Sequence, residues 1–262
     1  MQCEVDLKRL FETERQRAGF ESRWPEFLAS DPYNRRVYQK TGNVLAYRSE
    51  QLIPKRKRGK GEQKGRKPLL LVFGNPATHS VDSGMFFSFE GTGKEHRFWS
   101  RILKPAGVLD LSFDPGRSVA ELNRERREAL LNLEYESRFC IGMAVIISMP
   151  SAPGGPWGGI AGVQKLIGAK AMRRLEQAET QRVLECARKF VGRNGAVIAF
   201  QKNAWENLRS EKDPPYDVKK ARAGKLNGML KGAAGVPLFC VPPTRLSGPC
   251  SKVLKKVVGE IG

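Results

Sequence analysis

Leu69-Leu70-Leu71-Val72-Phe73-Gly74-Asn75-Pro76 is the stretch whose reading decides the fold. Five consecutive apolar residues with no polar alternation suit a strand buried on both faces of a parallel sheet. Gly74 and the Asn75-Pro76 pair then end it, because proline has no backbone N–H and restricts the residue before it. Three more short apolar runs follow: Met143 to Ile147, Ala196 to Phe200, and Val236 to Val241. Helical patterns separate them, at 95–104, 118–135 and 179–191, and from about 203, with a closing helix over 251–258. Strands alternating with helices predict an α/β fold, a three-layer α/β/α sandwich around a four-stranded, mainly parallel sheet. Residues 3–30 read as helical and 43–53 as extended. The chain therefore divides into an N-terminal helical extension (1–54), a basic Gly-rich loop (55–67) and an α/β domain (68–262).

The 262 residues carry 46 Lys and Arg against 27 Asp and Glu, a net charge of +19. That imbalance predicts an anionic partner, and nucleic acid, here DNA, fits it best. The run Lys55-Arg56-Lys57-Arg58-Gly59-Lys60 and its continuation to Lys67 has nothing apolar to bury, and its like charges repel. It reads as a phosphate-contacting arm, because it leads straight into the strand at 69–73, with a solvated loop as the alternative. No 18-residue apolar stretch predicts a membrane span, and the first residues lack a signal-peptide pattern. Five dispersed cysteines without a CxxC pair predict reduced thiols in a cytoplasmic protein, with no metal site. A monomer without a cofactor is expected.

Two familiar motifs fail. Ser88-Phe89-Glu90-Gly91-Thr92-Gly93-Lys94-Glu95 resembles a phosphate loop, but its first Gly is missing and Glu95 stands where a Mg²⁺-binding hydroxyl is needed. The glycines of 154–162 do not follow dinucleotide-binding spacing. With two histidines in the chain, His79 and His96, a multi-histidine metal site and a zinc deaminase signature are both absent.

The loops after the first and last strands carry the positive signal. Phe73-Gly74-Asn75-Pro76-Ala77 is followed by Gly84-Met85-Phe86-Phe87 and then His96-Arg97-Phe98-Trp99. This series resembles the first motif region of the uracil-DNA glycosylase superfamily, most nearly its mismatch-specific uracil/thymine members. Their pattern is Gly-x-Asn-Pro-Gly, Gly-Phe-Pro-Phe, Asn-Arg-Phe-Trp. Pro242-Pro243-Thr244-Arg245-Leu246-Ser247 resembles the second motif, His-Pro-Ser-Pro-Leu-Ser or Asn-Pro-Ser-Gly-Leu-Ser. The resemblance covers about 69–258 and leaves the first 60 residues uncovered.

The resemblance implies a monofunctional DNA glycosylase that flips a nucleotide, cleaves its N-glycosidic bond and leaves an abasic site. Asn75 corresponds to the water-positioning residue, with Asp82 and His79 in the same loop as alternatives for activating water. Phe87 corresponds to the platform for the flipped base, with Phe86 or Phe89 as substitutes. Ala77 and Ser148 complete the base pocket. Leu246 corresponds to the wedge that fills the vacated stack, Arg245 to a groove or phosphate contact, and Ser80, Thr244 and Ser247 to phosphate holders. Each also has a plain alternative: a strand-ending turn for Asn75-Pro76, a core residue for Phe87, a buried Leu before a helix for Leu246.

Departures from the pattern narrow the substrate. Pro242 stands where uracil-specific members carry a His that stabilises the departing base, so another donor serves or the base leaves more easily. Ala144 occupies the position of an Asn that reads the pyrimidine edge. Ala77 replaces a bulky Tyr that blocks 5-substituted pyrimidines. The 150–162 segment with Trp157, and an insertion at Gly91–Lys94, predict a roomier wall. These features favour a 5-substituted pyrimidine. One expectation is an antiviral role on glucosylated hydroxymethylcytosine, as in anti-phage members of the superfamily. Another is repair of mismatched or damaged uracil and thymine. A third is a nucleic-acid-binding protein that has lost the chemistry.

Overall fold

A computed structural model describes residues 1–54, 65–91, 93–114 and 116–261. The candidate phosphate contacts Lys55, Arg56, Lys57 and Arg58 lie outside the described residues.

The stretch from Lys67 to Phe73 forms β5, and from Leu69 to Val72 its side chains are fully buried. It pairs in parallel with β6 (Phe139–Val145) on one side and with β7 (Ala196–Ala199) on the other. β7 pairs in parallel with β9 (Pro237–Cys240). Two short antiparallel strands flank these four: β4 (Gln51–Leu52) beside β6, and β8 (Asn227–Met229) beside β9. The sheet thus has six strands, in the order β4-β6-β5-β7-β9-β8, where the sequence predicted four. Strands of two and three residues are too short for any hydropathy period to register. The fold is mixed α/β with a mostly parallel sheet.

Burial on both faces accounts for the unbroken apolar runs. The long helix α7 (Ala169–Val191) lies against β5, β6 and β7 through Val183, Leu184, Ala187, Phe190 and Val191. Helix α5 (Val119–Asn132) begins with a complete capping box, in which Ser118 accepts from the Glu121 N–H and Glu121 accepts from the Ser118 N–H. Such a pair satisfies two otherwise orphaned donors and fixes where the helix starts. The expected helix at 95–104 is instead a π-helical turn, Trp99–Leu103, packed against the closing helix α10 (Ser247–Ile261).

The N-terminal segment is not wholly helical. β1 (Gln2–Asp6), β2 (Tyr38–Thr41) and β3 (Val44–Arg48) form a separate antiparallel sheet in the order β1-β3-β2. Between β1 and β2 run helices α1 (Leu7–Leu10), α2 (Glu14–Ala29) and α3 (Asn34–Val37). β1 alternates exposed and half-buried residues, and its pairing with β3 won over the apolar Leu7 and Leu10 that suggested a helix from residue 3. Phe20, Trp24 and Phe27 of α2 pack in series, and Trp24 and Phe27 meet Tyr38 edge-on. This segment joins the α/β domain through β4 and through hydrogen bonds just beyond β6: the Tyr47 hydroxyl lies 2.7 Å from Ser148 Oγ, the Ser49 hydroxyl donates to the Ser148 carbonyl at 2.6 Å, and the Tyr38 hydroxyl donates to the Pro150 carbonyl. One continuous apolar cluster runs from Leu7 to Val258. No helix among the described residues is long and apolar enough to cross a membrane.

Candidate active site

Chain connections leave β5 toward β6 and leave β7 toward β9, in opposite directions, so a crevice opens beyond the carboxyl ends of these strands. A cavity of about 1160 Å³ lies at this edge. Small-molecule pockets usually hold about 300–1,000 Å³, so this one suits a bulky ligand. Phe73, Asn75, Ala77, His79, Phe87 and His96 are among its lining residues.

Gly74 makes the first turn possible. A Cβ there would stand 1.6 Å from the Gln201 side-chain nitrogen, so glycine lets that side chain lie across the turn, and any larger residue would displace it. Asn75 follows with its amide fixed. Its Nδ2 donates to the Met149 carbonyl at 3.2 Å and to Ser151 Oγ at 2.8 Å. Both amide hydrogens are thereby used, and no hydrogen bond from the described residues reaches Oδ1. The carbonyl end of the amide is the end left to hold a ligand or a water.

Phe87 has φ of 47°, in the left-handed region that a bulky residue rarely adopts. Three contacts hold it there: Trp99 Nε1 donates to its carbonyl at 2.8 Å, Phe98 stacks on the ring at 4.1 Å, and Phe73 meets it edge-on at 5.1 Å. Strain maintained by several neighbours is a mark of a functional site. His96 tilts against the same ring at 5.0 Å. Its Nδ1 accepts from the Phe98 N–H at 3.1 Å, and burial lowers its pKa to about 4. At neutral pH the imidazole is therefore uncharged and carries its proton on Nε2, a neutral donor in the pocket wall.

The other two expected catalytic residues line the cavity but are already engaged. Asp82 accepts from Arg48 at 2.7 Å and from Arg36 at 3.3 Å. Two guanidiniums occupy its lone pairs, which leaves little of the carboxylate free to take a proton from a water. His79 Nε2 pairs with Glu90 at 2.7 Å. Phe86 and Ser80 are buried in the wall.

Ser148 does not reach the cavity. It is fully buried, between Tyr47 and the Glu179 carboxylate, and serves the junction with the N-terminal segment. Trp157 is likewise drawn into the core, where its ring meets Phe27 edge-on and its N–H donates to Glu26 at 3.0 Å. Of the segment around it, Ser151, Ala152, Pro153 and Gly159 do line the cavity, as does Gly91.

The second loop stands apart. Thr244, Arg245, Leu246 and Ser247 follow β9 and lead into α10, at the same sheet edge but outside the cavity lining. Arg245 is exposed and Leu246 half-buried. Arg36 and Arg97, exposed residues of the cavity wall, add positive charge to this side.

Two lining groups escaped the sequence reading. His96 was noted as part of a motif but not as a donor, because its neutrality comes from burial. Glu50 immediately precedes β4 and is 7% exposed, and its Oε1 is buried without a hydrogen-bond partner. Burial raises its pKa to about 8. A single Glu in an N-terminal segment gives no signal of either property.

No protein-family model matches the chain, and no curated protein matches it either. Among the described residues no group of three or more His, Cys, Asp and Glu could hold a metal ion.

Proposed function

We propose that the protein is a monofunctional DNA glycosylase that hydrolyses the N-glycosidic bond of a flipped, 5-substituted pyrimidine. The observation that carries this reading is the Asn75 amide, locked by Met149 and Ser151 with its oxygen left over, beside the strained Phe87 in a cavity larger than an unmodified base requires.

In this reading Asn75 Oδ1 holds a water beneath C1′. The C1′–N bond breaks and its electron pair leaves with the base. Water adds to C1′ and gives up a proton, which ends on the base or in solvent. An amide is a weak base, so Asn75 acts by positioning and by its dipole. Phe87 stacks on the base. His96 Nε2–H donates to the leaving base, which supplies the donor that Pro242 cannot. Arg245 and Leu246 act on the duplex, the one on phosphate or groove edge and the other in the vacated stack. The size of the cavity favours a large 5-substituent, including glucosylated hydroxymethylcytosine in an antiviral role, over unmodified uracil.

The test is base release from duplexes carrying uracil, thymine opposite guanine, 5-hydroxymethyluracil or 5-hydroxymethylcytosine, and from phage DNA with glucosylated hydroxymethylcytosine. The freed base is identified by mass spectrometry. Release from one substrate, lost in Asn75→Ala, supports the reading. Tight salt-sensitive DNA binding with no release from any of them favours a non-catalytic binding protein.

A further inference from the structure

We infer that Glu50, contributed by the N-terminal segment, reads the Watson–Crick edge of a pyrimidine through its carboxyl group; this rests on the glycosylase reading for its place in the reaction. Among the described residues four acids line the cavity, and three are engaged. Asp82 holds two arginines, Glu90 holds His79, and Asp31 caps the Tyr33 N–H at 2.8 Å. Glu50 alone among them has a buried oxygen with no partner. An unsatisfied buried carboxyl costs several kcal/mol by order of magnitude, so its persistence needs an explanation. A ligand edge that completes its hydrogen bonds supplies one.

Position agrees. β4 pairs with β6 through Gln51↔Ala144 and Leu52↔Met143, and Phe73 of β5 pairs with Val145. One further step of the first register sets Glu50 beside Val145, two strand spacings, roughly 10 Å, from Phe73. Glu50 and Asn75 line the same cavity. β6 itself offers the buried Ala144, which has no polar group to read a base.

Chemistry narrows the ligand. The carboxyl is protonated at neutral pH, since burial outweighs the Met1 ammonium and the Arg127 guanidinium that act to lower its pKa. Arg48, which lines the smaller adjoining cavity with Glu50, is committed to Asp82, and His96 in the larger one is neutral. A neutral carboxyl presents one donor beside one acceptor. That pair complements the N3–H/O4 edge of a uracil-type base and the N3/N4–H edge of a cytosine-type base.

The experiment compares wild type, Glu50→Leu and Glu50→Gln in single-turnover base release from 5-hydroxymethyluracil and 5-hydroxymethylcytosine duplexes between pH 6.5 and 9. Melting temperature is followed alongside. Leu is expected to slow release about 10- to 100-fold, the range for loss of a buried hydrogen-bond partner, without lowering the melting temperature. Gln, which keeps one donor and one acceptor, is expected to recover most of that loss. Wild-type release should decline above about pH 8 as the carboxyl ionises, and the Gln variant should show no such decline. Whichever duplex responds identifies the edge that is read. Release by Glu50→Leu within about twofold of wild type overturns the inference. So does equal impairment of both variants with lowered melting temperatures, which marks a packing role. If wild type releases no base, the glycosylase reading fails by itself, and calorimetric titration with free 5-hydroxymethyluracil and 5-hydroxymethylcytosine decides about Glu50. Binding at pH 6.5 that is lost in Glu50→Leu upholds the edge-reading role. No binding to wild type overturns it.

Discussion

The loops after β5 and after β9 leave the same edge of one sheet and are built on opposite plans. After β5, Gly74 packs against Gln201, Asn75 is held by two hydrogen bonds, and Phe87 is forced into a left-handed conformation. After β9, Arg245 projects into solvent, Leu246 is half-buried, and a helix starts at once. Chemistry at a reacting atom needs groups held to a fraction of an ångström. Contact with a flexible polyanion needs exposed groups free to follow it. The difference teaches that the first loop is built for fixed geometry and the second for adaptable contact; under the proposed reading these are bond cleavage and capture of the duplex, and each variant below can break that division.

Asn75→Ala carries the largest expected effect. Base release in a single turnover falls by at least about 100-fold, as for loss of a preorganised polar group at a reacting centre, while DNA affinity changes little. A large loss of affinity with release per bound complex preserved would reverse the roles of the two loops. Leu246→Ala is expected to slow release from duplex by about tenfold and from single strands far less, because only a duplex has a stack to fill, at a cost of a few kcal/mol per step. Equal losses on both would make Leu246 a folding residue. Arg245→Ala should weaken binding similarly across sequences and reduce the slope of log K against log salt by about 1, measured by fluorescence anisotropy at several salt concentrations.

Smaller effects separate the engaged residues from the working ones. Asp82→Asn should cost about 1 kcal/mol or less in stability, since Arg36 and Arg48 are partly exposed and screened. Its release rate should fall far less than that of Asn75→Ala; an equal fall would return the role of base to Asp82. His96 has a pKa depressed to about 4 in the fold against an ordinary value of 6.5. The unfolded chain therefore binds the extra proton across that window, and stability is lost as pH falls through it. His96→Gln should flatten the stability profile between pH 6.5 and 4 in chemical denaturation.

The strands at 69–73, 143–147, 196–200 and 236–241 were legible because burial on both faces writes an unbroken apolar run into the chain. Leu71, fully buried in β5, illustrates the energetics: truncation to Ala at such a site costs about 2–5 kcal/mol. Helix α5 was legible from its period, and its capping box shows why it begins at Ser118. β3 and β4 lie in the stretch 43–53 that read as extended, but β4's place in the main sheet and the whole of β8 were not legible, because a two- or three-residue strand is specified by the partner it meets. Nor was β1, where pairing with β3 overrode the local apolar spacing.

The site divides in the same way. The family resemblance singled out Asn75, Phe87, Arg245 and Leu246; the first two line the cavity, and the last two lie at the same sheet edge outside its lining. Sequence placed Ser148 in the pocket as well, and packing placed it under Tyr47 and Glu179 instead. Asp82 and His79 kept their positions but lost their freedom to Arg36, Arg48 and Glu90, partners up to 46 residues away. His96 and Glu50 owe their protonation states chiefly to burial. The sequence by itself determined the four parallel strands at the centre of the sheet and the turns that end them, because hydrophobic period and turn chemistry are local. Which side chains stay unpaired, neutral or strained was decided only by the tertiary structure, because desolvation and pairing depend on neighbours that the chain brings together from far apart.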